Sequence, residues 1–530
     1  MKEYWKNIKK VYNAFSVSFS QNSFFYKASL DTRSSIFATE RFIPDSWPGT
    51  QSAGSNILNG IVFSELSDVP LSLVELIIYS PVCNGFEDAA KYANSFFWLR
   101  DLQAIGGNSA RKYARKLIAA FIESYRDEKR FWTRDFQWAP EVIGERICSW
   151  IFSYSFVASG ADDDFQKEML SSLCEQYSHL LKSYRAETDN YLKIIALKAI
   201  MFCKCFSANI DRRSLRKFAS RLDNCITEIF DKNGMLLTRN PVDYFNLFRS
   251  LVEIKFALKG GPIELKSFEN LPNMAACIRM LRMGDGRISE FQGDIEPQKS
   301  FIIPTRSIVD AAISVIDASS SNVNLPTSFS RISTKEITII VNNKISNVKS
   351  KFNDFNKPGI NIFDFESSFG INKLISRADI SIIFNKFRVK ITKNSENFYK
   401  IFNKNGGLLY TGFLQSNSFG LPLVVEREIF VSLSEPKMKG IDYIRIPSDF
   451  IIFSRFVFNK KCEINKPTQK SIIINLGQNK YKLSSIFKQN SNNIAVINKS
   501  KLLYPAVEIG VRSEAEQEVR IDWEIGKMEG

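Results

Sequence analysis

Two hydrophobic patterns divide this chain, and the change between them falls near residue 325. Before that point, apolar residues recur at the three- and four-residue spacing of a single helix face. Residues 190–206 are typical, with Leu192, Ile195 and Ala199 on one stripe. Comparable patterns occupy residues 86–104, 109–127, 140–158, 164–185, 212–230, 241–258 and 267–283. The first part of the chain is therefore predicted to be helical.

Short breaker segments separate these helical patterns. Pro140 and Pro241 stand where a first-turn proline is expected, and Gly106 stands where a helix would stop. Helices of similar length joined by short loops form successive antiparallel hairpins. The pattern therefore predicts a ring or bundle of helical hairpins over residues 1–325.

Beyond residue 325 the pattern becomes that of β-strands. Short runs rich in Ile, Val and Phe, such as KEITIIVNN, REIFVSLS and EVRIDWEIG, are separated by Asn, Gly, Ser and Pro. No helical pattern intervenes, which favours an antiparallel β-sandwich or barrel over residues 326–530. The predicted fold class is thus α+β and multidomain, as the length of 530 residues also indicates.

The chain is basic, with 71 Lys and Arg against 56 Asp and Glu and a formal net charge of +15. Such an excess favours anionic partners, which include acidic polysaccharides, nucleic acids and lipid surfaces. No helix-turn-helix, zinc finger or aromatic-basic RNA motif accompanies the charge, so no specific binding of nucleic acid is expected.

Histidine and cysteine set limits on the chemistry. The chain has one histidine, His179, in a helical pattern where a structural role is expected. That scarcity excludes a multi-histidine metal site and a HExxH helix. The eight cysteines are scattered among apolar residues without a CxxC pair. We therefore expect no metal and no cofactor.

The N-terminal 25 residues lack an uninterrupted apolar core and a small-residue cleavage site, so no signal peptide is predicted. The most apolar stretch, residues 62–82, is broken by Ser, Glu, Asp and two prolines, and no membrane span is predicted. The expected location is cytoplasmic, with the periplasm as the alternative that the resemblance below implies.

Several segments resemble the heparinase II/III-like family of polysaccharide lyases, and they follow one another in the family's order. They are PDSWPG at 44–49, NGIVF at 59–63, FFWLRDL at 96–102, the segment 138–150 that begins with WAPEV and includes Arg146 and Trp150, and MLRMGDGRISEF at 280–291. The resemblance implies an N-terminal α/α toroid, a C-terminal β-sandwich and eliminative cleavage of a uronate-containing acidic polysaccharide.

The family attributes its chemistry to an Asn, a His and a Tyr. Its Asn-His-Leu segment corresponds here to Asn190, Tyr191 and Leu192, so the amide persists while the imidazole is replaced by a phenol. In the sandwich, the family's histidine positions are occupied by Ile371, Val425 and other residues. The resemblance therefore implies a histidine-depleted site without zinc.

The candidate catalytic residues are Asn190, Tyr191 and Tyr244. The candidate substrate-binding residues are Arg146, Arg239, Trp98 and Arg100. Structural alternatives remain open for them: a helix N-cap for Asn190, aromatic packing for the tyrosines and for Trp98, and an ion pair with Asp101 for Arg100.

Two functions remain open at this point. The first is a lyase that removes the C5 proton of a uronate after its carboxylate is neutralised by an amide or a cation. The second is a non-catalytic relative that keeps the scaffold and binds an acidic glycan or a protein partner.

Overall fold

A computed structural model describes most of the chain. The described residues are 25–60, 73–78, 87–126, 136–230, 235–238, 240–259, 263–291, 300–315, 329–343, 362–384, 396–418, 421–445, 450–459, 461–465, 468, 471–486, 493–497, 505–513 and 518–528. Candidate residue Arg239 lies outside them.

Helices fill the first part of the chain, as the apolar spacing predicts. They are α1 Gln51–Leu58, α2 Leu73–Ile78, α3 Glu87–Ser95, α4 Leu99–Ile105, α5 Gly107–Arg126, α6 Pro140–Ala158, α7 Asp163–Ser183, α8 Asn190–Cys205, α9 Arg212–Ile229, α10 Pro241–Ala257, α11 Leu271–Met280 and α12 Arg306–Val315. Short 3₁₀ turns lie at Lys27–Ser29, Ser34–Ile36, Thr39–Arg41, Phe136–Trp138 and Lys266–Asn270.

Aspartate side chains fix the starts of three of these helices. Asp162 accepts a hydrogen bond from the Phe165 amide at 2.7 Å, and Asp211 accepts one from Ser214 at 3.0 Å. Asp189 does the same for α8, where it accepts from the amide of Tyr191 at 2.8 Å. The interpretation of Asn190 as the N-cap is therefore wrong, because Asp189 is the cap and Asn190 is the first helical residue.

Helices α6 and α8 are buried along most of their length and pack closely. A Cβ built on Gly144 of α6 would lie 2.9 Å from the carbonyl oxygen of Ile195 on α8. A glycine is therefore needed where the two backbones meet. None of the described helices is long and apolar enough to cross a membrane.

Strands fill the last part of the chain. They are β1 Phe329–Ser333, β2 Ile337–Asn342, β3 Ile362–Phe369, β4 Asn372–Phe384, β5 Glu396–Lys404, β6 Gly407–Ser418, β7 Leu421–Ser432, β8 Lys437–Arg445, β9 Phe450–Phe458, β10 Cys462–Asn465, β11 Ser471–Leu476, β12 Asn479–Ile486, β13 Asn493–Ile497, β14 Ala506–Ser513 and β15 Glu518–Lys527.

The described strands form two antiparallel sheets, ordered β1-β2-β3-β4-β9-β14-β13 and β10-β11-β12-β15-β8-β7-β6-β5. Alternate residues of both sheets share one hydrophobic core, in which the ring of Trp523 on β15 lies 5.8 Å from Phe365 on β3. Within this core Arg427 pairs with Asp442 at 2.6 Å. The predicted sandwich is confirmed.

Packing divides the chain into two compact units. We call them the helical unit, Met1–Asp231 with Phe245–Ala275 and Lys299–Ser321, and the sheet unit, Lys232–Tyr244 with Ala276–Gln298 and Asn322–Gly530. The change of pattern near residue 325 falls close to the last of these boundaries, while two earlier segments pack with the strands.

Candidate functional site

The amide of Asn190 lies half-exposed at the start of α8. Its Nδ2 donates a hydrogen bond of 2.7 Å to Oε2 of Glu228 on α9. A side-chain amide carries two hydrogens, and in the described part of the chain the second one meets no acceptor. Glu228 therefore orients the amide and leaves one donor available.

A phenol and two guanidinium groups lie at the other end of the connection between α7 and α8. The hydroxyl oxygen of Tyr184 accepts hydrogen bonds from Nη1 of Arg221 on α9 and, at 3.2 Å, from Nε of Arg185. Because the oxygen accepts from two cations, its own hydrogen must point away from them.

Helix α9 holds both ends of this connection. Arg221 and Glu228 are seven residues apart, which corresponds to about 10 Å along the helix axis and nearly the same helix face. We call the surface formed by Tyr184, Arg185, Asn190, Arg221 and Glu228 the α8 face. It combines a free amide donor, a phenol that is only 4% exposed, and an excess of positive charge.

The sequence pointed to Asn190 but not to the other members of the α8 face. Their grouping depends on the α7–α8 connection meeting α9, a tertiary contact that has no local signature. A weak signal exists in the spacing of Arg221 and Glu228, which places two polar side chains on one face of α9.

The two predicted catalytic tyrosines lie in the protein interior. Tyr191 is 4% exposed and Tyr244 is 1% exposed. The hydroxyl of Tyr244 is hydrogen-bonded to the thiol of Cys277, although burial outweighs this bond and raises the pKa of Cys277 to about 12. Both rings therefore lie in the packed interior.

Trp98 and Arg100 are buried, and Arg100 joins two of the segments that carry the resemblance. The indole of Trp98 is fully buried and donates to the carbonyl oxygen of Ala93 at 2.9 Å. The Arg100 guanidinium lies over the ring of Phe97 and pairs with Asp45 of the PDSWPG segment at 3.1 Å. Arg100 thus pairs with Asp45 and not with Asp101, which instead accepts a hydrogen bond from the backbone amide of Thr50.

Arg146 joins three parts of the helical unit. Its guanidinium donates to Oε1 of Gln176 at 2.6 Å and to the backbone oxygens of Asn94 and Gln137 at 2.9 and 3.1 Å. It is fully buried, and this burial lowers its pKa to about 9. A sugar could reach Arg146, Arg100 or Trp98 only if the interior opened.

A network of four charges lies inside the helical unit and was not predicted from the sequence. Nζ of Lys198 lies 3.1 Å from Glu145 and 2.9 Å from Glu253, and Arg249 pairs with both carboxylates at 2.7 Å. Burial alone would raise the pKa of Glu253, but Arg249 and Lys198 outweigh it and lower the pKa to about 2. The sequence feature that could have indicated this network is Lys198, a charged residue in the middle of a mostly apolar helix.

His179 belongs to the packed interior. Its Nδ1 is hydrogen-bonded to the hydroxyl of Tyr26 at 3.1 Å, and its ring packs edge-on against Trp138. Burial lowers its pKa to about 3, so the imidazole is neutral at ordinary pH. The structure agrees with a structural role for this residue.

The position that corresponds to a family histidine in the sheet unit, Ile371, is 72% exposed. Close by in sequence, Lys373 lies 3.5 Å from the buried Glu366 and 3.7 Å from Glu290 of the GDGRISEF segment. Glu366 also accepts hydrogen bonds from the backbone amides of Glu290 and Phe291. Among the described residues, no group of three His, Cys, Asp or Glu side chains could hold a metal ion.

Comparisons with known proteins support the fold. No protein-family model and no curated protein matches the sequence. Among solved structures, a crystal structure of heparinase III is 12% identical, with a TM-score of 0.56 over 100% of this chain and 91% of that one. A heparan sulfate lyase HepC mutant from Pedobacter heparinus is 13% identical, with a TM-score of 0.48 over 91% and 83%.

The match to heparinase III extends over the whole chain, and it agrees with the helices and the two antiparallel sheets seen here. The resemblance that the sequence segments indicate is thus confirmed at the level of fold. This chain has the fold of heparinase III, a helical toroid followed by a β-sandwich.

Proposed function

We propose that this protein is a polysaccharide lyase that cleaves a uronate-containing acidic polysaccharide by β-elimination at the α8 face. The observation that carries the proposal is the half-exposed amide of Asn190, which keeps one donor available beside Glu228. The heparinase III fold and the net charge of +15 support an acidic polymer as the substrate.

In the proposed reaction, the free hydrogen of the Asn190 amide binds the uronate carboxylate and draws charge from it, so that the C5 proton becomes more acidic. Glu228, held next to the amide, takes this proton. The electron pair of the C5–H bond forms the C4=C5 double bond, and the C4–O4 bond breaks with its pair on O4.

Tyr184 supplies the proton that O4 needs to depart. Its hydroxyl hydrogen points away from Arg185 and Arg221, and these two cations then stabilise the phenolate that remains. The roles first assigned to Tyr191 and Tyr244 thus pass to Tyr184, which is 4% exposed like Tyr191 but whose hydroxyl accepts from the exposed Arg185 and the half-exposed Arg221 at the connection between α7 and α8.

Ultraviolet absorbance of the unsaturated uronate product tests this proposal. Heparin, heparan sulfate, polygalacturonate and alginate are incubated with the wild-type protein and with Asn190→Ala, Glu228→Gln and Tyr184→Phe. We expect absorbance to rise with one of the polymers, and each substitution to lower the rate at least a hundredfold.

Tyr191→Phe is the matched control, because Tyr191 lies next to Asn190 and, at 4% exposed, is as buried as Tyr184. It should retain at least half of the wild-type rate. If Tyr191→Phe abolished the reaction while Tyr184→Phe did not, the assignment of the acid to Tyr184 would be wrong.

A second function is favoured by the burial of the remaining candidate groups. His179, Tyr191 and Tyr244 are at most 4% exposed, so a protein with this site would keep the glycan contacts without proton transfer. Such a non-catalytic relative would bind an acidic polymer saturably, with no rise in absorbance. Calorimetry with the same four polymers separates this outcome from catalysis.

A further inference from the structure

The first two turns of α9 carry four exposed cations, Arg212, Arg213, Arg216 and Lys217. In the described part of the chain, none of the four makes an ion pair or a side-chain hydrogen bond. We call this group the α9 basic surface. It belongs to the helical unit, as does the α8 face.

This arrangement opposes the local electrostatics of the helix. The first turn of α9 contains no acidic residue, although the positive end of the helix dipole favours one there. Arg213 also stands three residues from Arg216 and four from Lys217, and like charges at these spacings repel. Asp211 provides the cap but leaves the surface with a net positive charge. A bound anion would relieve each of these unfavourable terms.

The basic surface continues into the α8 face along one stripe of the helix. Arg213, Lys217 and Arg221 follow at intervals of four residues, and Arg221 donates to the hydroxyl of Tyr184. Glu228, which accepts a hydrogen bond from Asn190, lies on the same side of the helix at its C-terminal end. From Arg213 to Glu228 the stripe extends about 22 Å, so an extended polymer could contact both of its ends.

The exposed residues favour a polysaccharide over other polyanions. Phe218 is buried against Lys204 and Arg221, so it offers no face on which a nucleic-acid base could stack. The apolar side of α9, with Leu215 and Leu222, is packed inside the helical unit and cannot enter a bilayer. The exposed side of the first two turns of α9 is dominated by the four cations.

We propose that the α9 basic surface is an accessory binding site for an acidic polysaccharide, which it holds along α9 so that one uronate reaches Asn190. This inference rests on the proposed function for the identity of the polymer. The accessory site lies beside the residues that carry out the reaction. It contributes affinity for the polymer and takes no part in the chemical step.

Binding of a fluorescein-labelled heparin dodecasaccharide tests the inference. Fluorescence anisotropy at several salt concentrations compares the wild-type protein with Arg213→Gln/Lys217→Gln. The matched control is Lys112→Gln/Lys116→Gln, which removes two exposed cations at the same spacing from α5 of the same unit. We expect the α9 variant to bind about tenfold more weakly with a shallower salt dependence, and the α5 variant to bind like the wild type.

Equal losses in the two double variants would overturn the inference, since they would show that net charge alone governs binding. Duplex DNA and phosphatidylserine vesicles are titrated in parallel, and tighter binding of either through Arg213 and Lys217 would contradict the assignment to a polysaccharide.

Asn190→Ala separates the two proposals. If the inference is correct, this variant retains dodecasaccharide binding within threefold while any eliminase activity is lost. If no polymer is cleaved but the α9 variant alone binds weakly, the lyase proposal fails and the accessory site stands.

Discussion

Removal of the Lys198 ammonium should destabilise the helical unit more than any surface substitution. Lys198 is fully buried and contacts the carboxylates of Glu145 and Glu253 at 3.1 and 2.9 Å. The change Lys198→Met keeps much of the side-chain length but leaves two buried carboxylates with Arg249 as their shared cation. Breaking a buried ion pair by removing one partner costs about 3–5 kcal/mol.

A second substitution tests the charge argument directly. In Lys198→Met/Glu145→Gln the local charge balance is restored, since one cation and one anion have been removed. The double variant should therefore recover part of the loss, with a coupling energy of about 1–3 kcal/mol. The indole of Trp47 donates to Glu253 at 2.7 Å, so its fluorescence reports on the network.

Urea unfolding followed by tryptophan fluorescence measures both effects as free energies of unfolding. Lys193→Met provides the control, because Lys193 lies on the same helix α8 but is only half-buried and contacts no acid among the described residues. If Lys198→Met lowered the free energy of unfolding by no more than the control does, the network would have no stabilising role and the reasoning would be refuted.

Two further predictions concern the helical unit. The pKa of His179 is about 3 in the folded protein and about 6.5 in the unfolded chain, so the unfolded chain binds the extra proton and stability falls as the pH drops from 6.5 towards 3. Between pH 7 and pH 5 the wild-type protein should lose about 2 kcal/mol of its free energy of unfolding through His179. Urea unfolding at these two pH values should show a decrease that is smaller by this amount in His179→Gln. Gly144→Ala should lower the unfolding free energy by about 1–3 kcal/mol, because the new methyl group would lie 2.9 Å from the Ile195 oxygen; an unchanged urea midpoint would contradict this.

Much of the architecture was predictable because hydrophobic periodicity is a local property. The pattern at 140–158 matches α6 at Pro140–Ala158, and the pattern at 212–230 matches α9 at Arg212–Ile229. The strand-like runs after residue 325 likewise appear as the two sheets. These patterns required no knowledge of which elements meet.

The site was less predictable because it depends on tertiary contacts. Asn190 was among the candidates, but its partner Glu228 is 38 residues away, and Tyr184 meets Arg221 across 37 residues. Arg100 and Arg146 were expected to bind substrate because arginines pair with carboxylates. The structure instead shows them bound to Asp45 and to backbone oxygens, which sequence spacing does not reveal.

The docking of the PDSWPG segment has a wider consequence. A Cβ on Gly49 would lie 2.0 Å from the Arg100 oxygen, and Asp45 pairs with Arg100 itself, so this segment and FFWLRDL fit each other closely. Similarity in such segments therefore reports how the framework packs. The residues of the α8 face lie in other segments of the chain, so the similarity carries no information about their chemistry.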